Sequence, residues 1–567
     1  MPRADREPRS RTIDRPEVIL GSTIFSEVKI AEPMGVCFLT AVLRRRGRTV
    51  AVIEPSYQGW SVETTARTIL DTPSRVLGLS VHRDKNKPEV LELLERLRKA
   101  GDDRFIVLGG HGPSVGVPCE GQFDTIYARP SYGELARYAD ALVIGEGEVA
   151  FPDLVDAVLA GNDWRDLPGL AFADGKGGLI QKPAGPKIAD LDTLPFMSRD
   201  ALEWYLDRYG PPLSASVQVG RGCLYRCSFC TVHRFEALQP GPPYRRRSAA
   251  GVLEEVRELH QRYGVDDFTF EDDNLVAPDP AGRQWMERFL DGIGDLGFRI
   301  TFNLFCRPDA VEAALFARLK GAGLQGVYLG VESVWGPDLK FFRKGLTQRI
   351  VFGALDILRE LGYSAAVGAE LRLMFGYITW HPLSSFDQLR ASLKFVDQWR
   401  APPKLLRRAL RLYTGAAIKD QLAREGLLDG SRPSGWRYRD PRLAAAHQAV
   451  DAFFGQATKI RDAVRTAEKA MRRRGLTGET AARLRRIRES LDRRCLDFVS
   501  EVCRLSDGPE GAGLDGFGPR LQAFLDEELR QLASSVEGEE VGRVVDSALE
   551  ASGLPVTGLL APDLFRR

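Results

Sequence analysis

Short apolar runs rich in β-branched residues alternate with segments of helical periodicity, and they do so in two successive blocks of the chain. In the first block the runs are Val18–Leu20, Val50–Ile53, Val76–Ser80, Phe105–Leu108 and Ala141–Ile144. Between them, Phe38, Leu39, Val42 and Leu43, and later Val90, Leu91, Leu94 and Leu97, recur at the 3–4-residue spacing of one helix face. Alternation at this pitch predicts a doubly wound parallel sheet over residues 17–164. Residues 165–210 read as a linker. The alternation resumes in residues 211–400, with strands expected at Ala215–Val219, Asp267–Phe270, Ile300–Leu304, Gly326–Val331 and Leu371–Tyr377. About six βα units fit there, too few for a closed eight-stranded barrel. Residues 401–567 read as mostly helical. Leu484, Ile487, Leu491, Cys495 and Phe498 share one face there, opposite arginines.

Composition excludes several classes. Lys plus Arg total 79 against 77 Asp plus Glu, so no global charge draws the chain to nucleic acid or an anionic surface. No apolar run is long enough to span a bilayer. Residues 1–16 are charged and Pro-rich, without the apolar core of a secretory signal, and read as a disordered leader on a cytoplasmic protein. Of eight cysteines, three crowd into Cys223-Leu224-Tyr225-Arg226-Cys227-Ser228-Phe229-Cys230, which in a reducing compartment points to a metal site. A cubane of four irons normally takes four thiolates. Three in one short loop leave one iron open to chelate an amine and a carboxylate, and to pass one electron into a bound sulfonium. The alternative is zinc, with His233 completing a Cys-Cys-Cys-His set.

The C-x-x-x-C-x-aromatic-C loop after a strand resembles that of the radical S-adenosylmethionine (SAM) superfamily. Further segments resemble the same family: Tyr244–Ser248 after the loop, Phe268–Asn274 near the SAM amino group, Gly330-Val331-Glu332-Ser333 with Arg343-Lys344-Gly345 near the nucleoside, and Phe375-Gly376-Tyr377 with Pro382. The resemblance implies that Cys223, Cys227 and Cys230 hold a [4Fe–4S] cluster and are catalytic. It also implies that Phe229 lies along the adenine and that Glu271, Asp272, Glu332 and Ser333 line the SAM pocket. Glu271 is either an acceptor for the SAM ammonium, a group that reaches the open iron, or a solvated strand-end acid.

In the first block, Pro33–Gly47, Gly109-Gly110 and Gly145-Glu146-Gly147-Glu148 resemble cobalamin-binding domains fused to radical SAM barrels. The fold expected is therefore α/β: a Rossmann-like cobalamin-binding domain, a partial (β/α)6 radical SAM barrel and a helical C-terminal region. Ligands on such sheets sit outside the carboxyl ends of the strands. The D-x-H-x-x-G motif that supplies a cobalt-ligating histidine in many cobalamin proteins is missing from the first strand end, Gly21–Glu27. Below the cobalt, the end of the third strand offers Ser80, His82 and Arg83: a non-coordinating Arg83, an Arg83 paired with Asp84 or a tail phosphate, or a His82 ligand. Cys37 and Cys119 alone in this block disfavour a methylthiotransferase, which carries three cysteines there.

The activity implied is transfer of a methyl group from SAM via methylcobalamin to a carbon of a secondary metabolite or peptide precursor. The alternative is a cobalamin-dependent cyclisation or rearrangement. The partners implied are a small-molecule or peptide substrate and an electron donor such as flavodoxin or ferredoxin, with no nucleic acid and no membrane.

Overall fold

The computed structural model describes residues 15–25, 32–81, 86–116, 132–210, 214–277, 279–413, 415–430, 435–473, 478–506, 514–537 and 540–551. Residues 1–14 of the leader, Cys119, and the His82 and Arg83 positions lie outside them. Among the described residues no helix is long and apolar enough to cross a membrane.

The first sheet contains β1 (Val18–Ser22), β2 (Val50–Ile53), β3 (Val76–Ser80), β4 (Phe105–Gly109), β5 (Ala141–Val143), β6 (Leu170–Ala173) and β7 (Leu179–Gln181) in the order β2-β1-β3-β4-β5-β6-β7. The first five are parallel, as their alternation with helices requires, because a parallel neighbour needs a crossover. Helices 34–45 and 147–160 cover one face, and helices 62–71 and 87–99 the other. The supposed linker behaves otherwise. Its hairpin β6–β7 pairs antiparallel onto β5, and Leu170, Ala171 and Phe172 are buried. A strand of four residues beside Gly and Pro carries too little periodicity to stand out in the sequence.

The second unit holds β8 (Ser214–Val217), β9 (Gly220–Gly222), β10 (Tyr244–Arg246), β11 (Asp267–Phe270), β12 (Thr301–Cys306), β13 (Leu324–Glu332) and β14 (Arg372–Tyr377). Five form a parallel sheet in the order β14-β13-β12-β11-β8, and β9 and β10 form a separate antiparallel pair. In the sixth position the chain at Arg408–Leu410 runs beside Thr379 and Trp380 as a parallel bridge. One face of each strand is clothed by helices. Phe268, Phe270, Phe302, Leu304, Val327, Leu329, Leu373 and Phe375 all lie in a single apolar core. Helices 441–473, 479–505, 514–537 and 540–551 form the C-terminal region, with Leu484, Leu491, Cys495 and Phe498 buried.

Candidate active site

The carboxyl ends of both sheets face one cavity of about 670 Å³. From the first unit it is lined by Ser80, Gly109, Gly110, His111 and Gly145–Glu148, with Met34–Val36 and Phe38 of the first helix. From the second it is lined by Gln218, Gly220–Gly222, Phe235, Glu236, Glu271–Asp273 and Phe305. Glycines suit this wall. Gly110 and Gly145 have φ of +94° and +89°, which side-chain-bearing residues rarely adopt. At Gly109 an added Cβ would meet nothing closer than 3.7 Å, so the backbone leaves a shallow cradle at the strand end. The ends of β1 and β2 take no part. There the Glu54 carboxylate accepts from the Ser22 and Ser56 hydroxyls and closes the edge on itself.

Two chains of buried charge join the units. In one, Arg221 binds Glu148 at 2.6 Å and Glu146 at 3.5 Å, Arg245 binds Glu146 at 2.6 Å and Glu236 at 3.1 Å, and Lys187 binds Glu236 at 2.8 Å. In the other, Arg199 links Glu32 at 2.8 Å to Glu255 at 2.7 Å, and Arg247 binds Glu255 at 2.5 Å. Each chain is neutral in sum, which is what makes burial of so many charges tolerable. Glu146 and Glu148 thus line the cavity, but their carboxylates are taken by arginines of the second unit. The guanidinium partners hold the Glu146 carboxyl below the usual carboxylate range against the upward push of burial. Spacing along the sequence could not pair residues some 75–100 positions apart; the only local trace was the run Arg245-Arg246-Arg247.

The cysteine loop leaves β9 and is pinned on every side. Asp272 accepts from the backbone N–H of Val219 and Gly220 at 2.9 and 3.0 Å, fixing the strand before the loop. Burial pushes the Asp272 carboxyl up to about 7, and its other oxygen has no partner among the described residues. Inside the loop, the Ser228 N–H donates to Phe342 O and its hydroxyl to Phe341 O. Thr231, next to Cys230, bonds His111 of the first unit at 2.8 Å. The three thiols feel one another electrostatically, and burial raises Cys223 and carries Cys230 to about 12. Arg307 approaches the Cys227 sulfur at 3.7 Å, braced by Asp309 at 2.9 Å, and supplies the positive field a thiolate ligand needs. Sequence reading missed Arg307. Among the described residues no three His, Cys, Asp or Glu side chains converge on one ion position. Three thiols on one pinned loop beside a cation suit a cluster that offers each a separate iron.

The remaining expected residues divide. Glu271 lines the cavity, half-buried, with no side-chain partner among the described residues; burial raises its carboxyl, with a smaller push from Glu32. Phe229 stacks edge-on against Phe342 at 5.5 Å beside the loop. Glu332 sits at φ +64° and pairs with buried Lys344 at 3.3 Å. Ser333 is fully buried, donates to Asp338 at 2.7 Å and caps the turn through Trp335 N–H, so its hydroxyl is spent on the fold.

An open α/β barrel whose strand ends carry a three-cysteine loop, facing a second doubly wound sheet across a shared cavity, defines a radical SAM enzyme. The comparisons agree. The Radical SAM superfamily model matches residues 217–383. An uncharacterized methyltransferase of Pyrococcus horikoshii is 25% identical over 65% of this chain and 73% of its own length. The hopanoid C-3 methylase of Methylococcus capsulatus is 27% identical over 59% and 60%. The anaerobic magnesium-protoporphyrin IX monomethyl ester cyclase of Synechocystis is 26% identical over 61% and 66%. The chain thus spans between 60% and 73% of these three relatives. Among solved structures, the cobalamin-dependent SAM radical enzyme OxsB covers 98% of this chain and 83% of its own, with a TM-score of 0.69 at 17% identity, a likeness of fold. Residues 217–383 thus carry a Radical SAM superfamily domain, and the chain shares its fold with a cobalamin-dependent enzyme of that superfamily.

Proposed function

We propose that this protein transfers a methyl group from SAM, through cobalamin, to a carbon of a small-molecule or peptide substrate. The observation that carries the proposal is the single cavity lined by strand ends of both units, which puts Gly220–Gly222, the strand leading into the cysteine loop, and the glycine cradle on one space. Methyltransferase-named relatives support the same reading. When bound, the cluster and cobalamin supply one-electron and methyl-carrying chemistry.

The chain's own residues hold and orient. Cys223, Cys227 and Cys230 bind three irons, and Arg307 sits against the Cys227 sulfur. Asp272 and Arg221 fix the strand that carries the loop. Glu271, a carboxylate open to the cavity, accepts a charge-assisted hydrogen bond from the SAM ammonium. Gly109, Gly110 and Gly145 let the backbone approach the corrin edge, while Ser80 borders it at the end of β3. The Arg221 and Arg245 ion pairs close the seam between the units to water. An external one-electron donor of the flavodoxin or ferredoxin kind is part of this proposal.

The test is incubation of the anaerobically reconstituted protein with cobalamin, a reductant and SAM labelled in its methyl group. Label on the bound cobalamin together with S-adenosylhomocysteine is the expected result. Formation of 5′-deoxyadenosine without either one would favour the second reading, a cyclase-type reaction, which the magnesium-protoporphyrin cyclase relative supports. A protein that takes up no cobalamin would overturn both.

A further inference from the structure

The barrel interior is unfilled. Along β11, β12, β13 and β14 every residue that packs under the helices is buried in the core. The alternate residues Thr269, Asn303, Phe305, Tyr328, Arg372 and Met374 lie outside that core and border a second cavity of about 140 Å³. In a closed barrel such positions interdigitate and fill the lumen; here five strands leave it accessible.

The lumen is ordered in levels. Thr269 is in register with Asn303, Asn303 with Gly326 and Gly326 with Arg372. Two residues further along, Phe305 is in register with Tyr328 and Tyr328 with Met374. At the lower level Arg372 donates to Asn303 Oδ1 at 2.8 Å, across a strand where Gly326 has no side chain; a Cβ there would overlap the Asn303 amide. The Asn303 amide in turn reaches Thr269 at 3.5 Å. No carboxylate among the described residues forms an ion pair with Arg372, and Asp267, two residues before Thr269 on β11, accepts from Thr301 at 2.7 Å. At the upper level the Phe305 and Tyr328 rings lie 4.9 Å apart. Phe305 also borders the large cavity, so one ring separates the two spaces.

We infer that this lumen is a subsite for an anionic group on the substrate, a carboxylate or a phosphate bound by Arg372, with the adjoining apolar part seated against Phe305 and Tyr328. A guanidinium offers five N–H donors and matches the two oxygens of either group. The Arg372 level lies four residues below Gly376, about 13 Å along the strand, so the substrate is long enough to reach from there to the large cavity. The inference rests on the proposed function for its word "substrate", but the site itself is testable without turnover.

Fluorine NMR titrations of the full chain with 4-fluorophenyl phosphate, 3-(4-fluorophenyl)propionate and the neutral 3-(4-fluorophenyl)propanol provide that test. Saturable binding of at least one anion is expected, weakened tenfold or more by Arg372→Gln and less than threefold by Arg372→Lys. The anion that binds tells phosphate from carboxylate. Tyr328→Ala is expected to weaken the same probe, since it removes the ring and keeps the charge. Binding of the neutral alcohol as tightly as the anions, anion binding unchanged in Arg372→Gln, or no saturable anion binding would each overturn the inference. Binding without methyl transfer would keep the subsite and sink the proposed function; methyl transfer without anion binding would do the reverse.

Discussion

Arg221 stands between two glycines on the strand that leads into the cysteine loop, and both of its carboxylate partners belong to the other unit. Replacing it with Gln leaves Glu146 and Glu148 short of a cation in a buried seam. Losing one member of a buried pair costs about 3–5 kcal/mol. Arg221→Gln is therefore expected to lower the denaturant midpoint and the iron bound per chain together. Unchanged iron content would show that the loop is held without it. Glu271→Gln removes only the charge from a cavity-facing side chain; SAM affinity should fall about tenfold, the scale of one charge-assisted hydrogen bond, while the fold is kept. Equilibrium dialysis reads this directly, and wild-type affinity would leave Glu271 as a strand-end acid. The triple replacement of Cys223, Cys227 and Cys230 by Ala should abolish cluster iron and sulfide. Cys306, Cys495 and Cys503 are buried in the apolar core and give no ligand set, so single Ala variants should keep full iron. The triad was legible because its spacing is local chemistry. Arg307 was not, because nothing in a sequence says that residue 307 approaches residue 227.

Among elements, the β6–β7 hairpin changes what counts as the first unit. The alternation of strands and helices made β1–β5 readable almost to the residue, since each run is apolar on both faces. A two-strand antiparallel extension has no crossover helix to announce it. A fragment ending at residue 164 lacks β6, and with it the buried Leu170 and Phe172, each worth about 2–3 kcal/mol. Fragments 15–164 and 15–185 should therefore differ in urea midpoint, the longer being the more stable. Equal midpoints would reduce the hairpin to an ornament. The barrel strands show the same contrast. The stripe that packs under helices was legible as apolar alternation, whereas the open lumen was not, because polar residues on a strand look alike whether they face solvent or a ligand.

In the whole molecule, the C-terminal helices meet the barrel around His447, which stacks on Trp380 at 4.8 Å and bonds the Tyr438 hydroxyl at 2.9 Å. Burial lowers its pKa to about 4, against about 6.5 in an unfolded chain. The unfolded state takes up the proton first, so this contact's stability is complete above about pH 6.5 and is lost as pH falls toward 4. The loss amounts to about 3 kcal/mol. His447→Gln should flatten stability across that window, and an unaltered pH profile would place the acid sensitivity elsewhere. The neutral seam has a further meaning for ancestry and engineering. A first unit grafted from another chain arrives without Glu32, Glu146 and Glu148, which leaves Arg221 with no carboxylate and Arg199 and Arg245 with only Glu255 and Glu236. The two units therefore recombine only as a matched set, and a chimera needs its arginines and glutamates exchanged together.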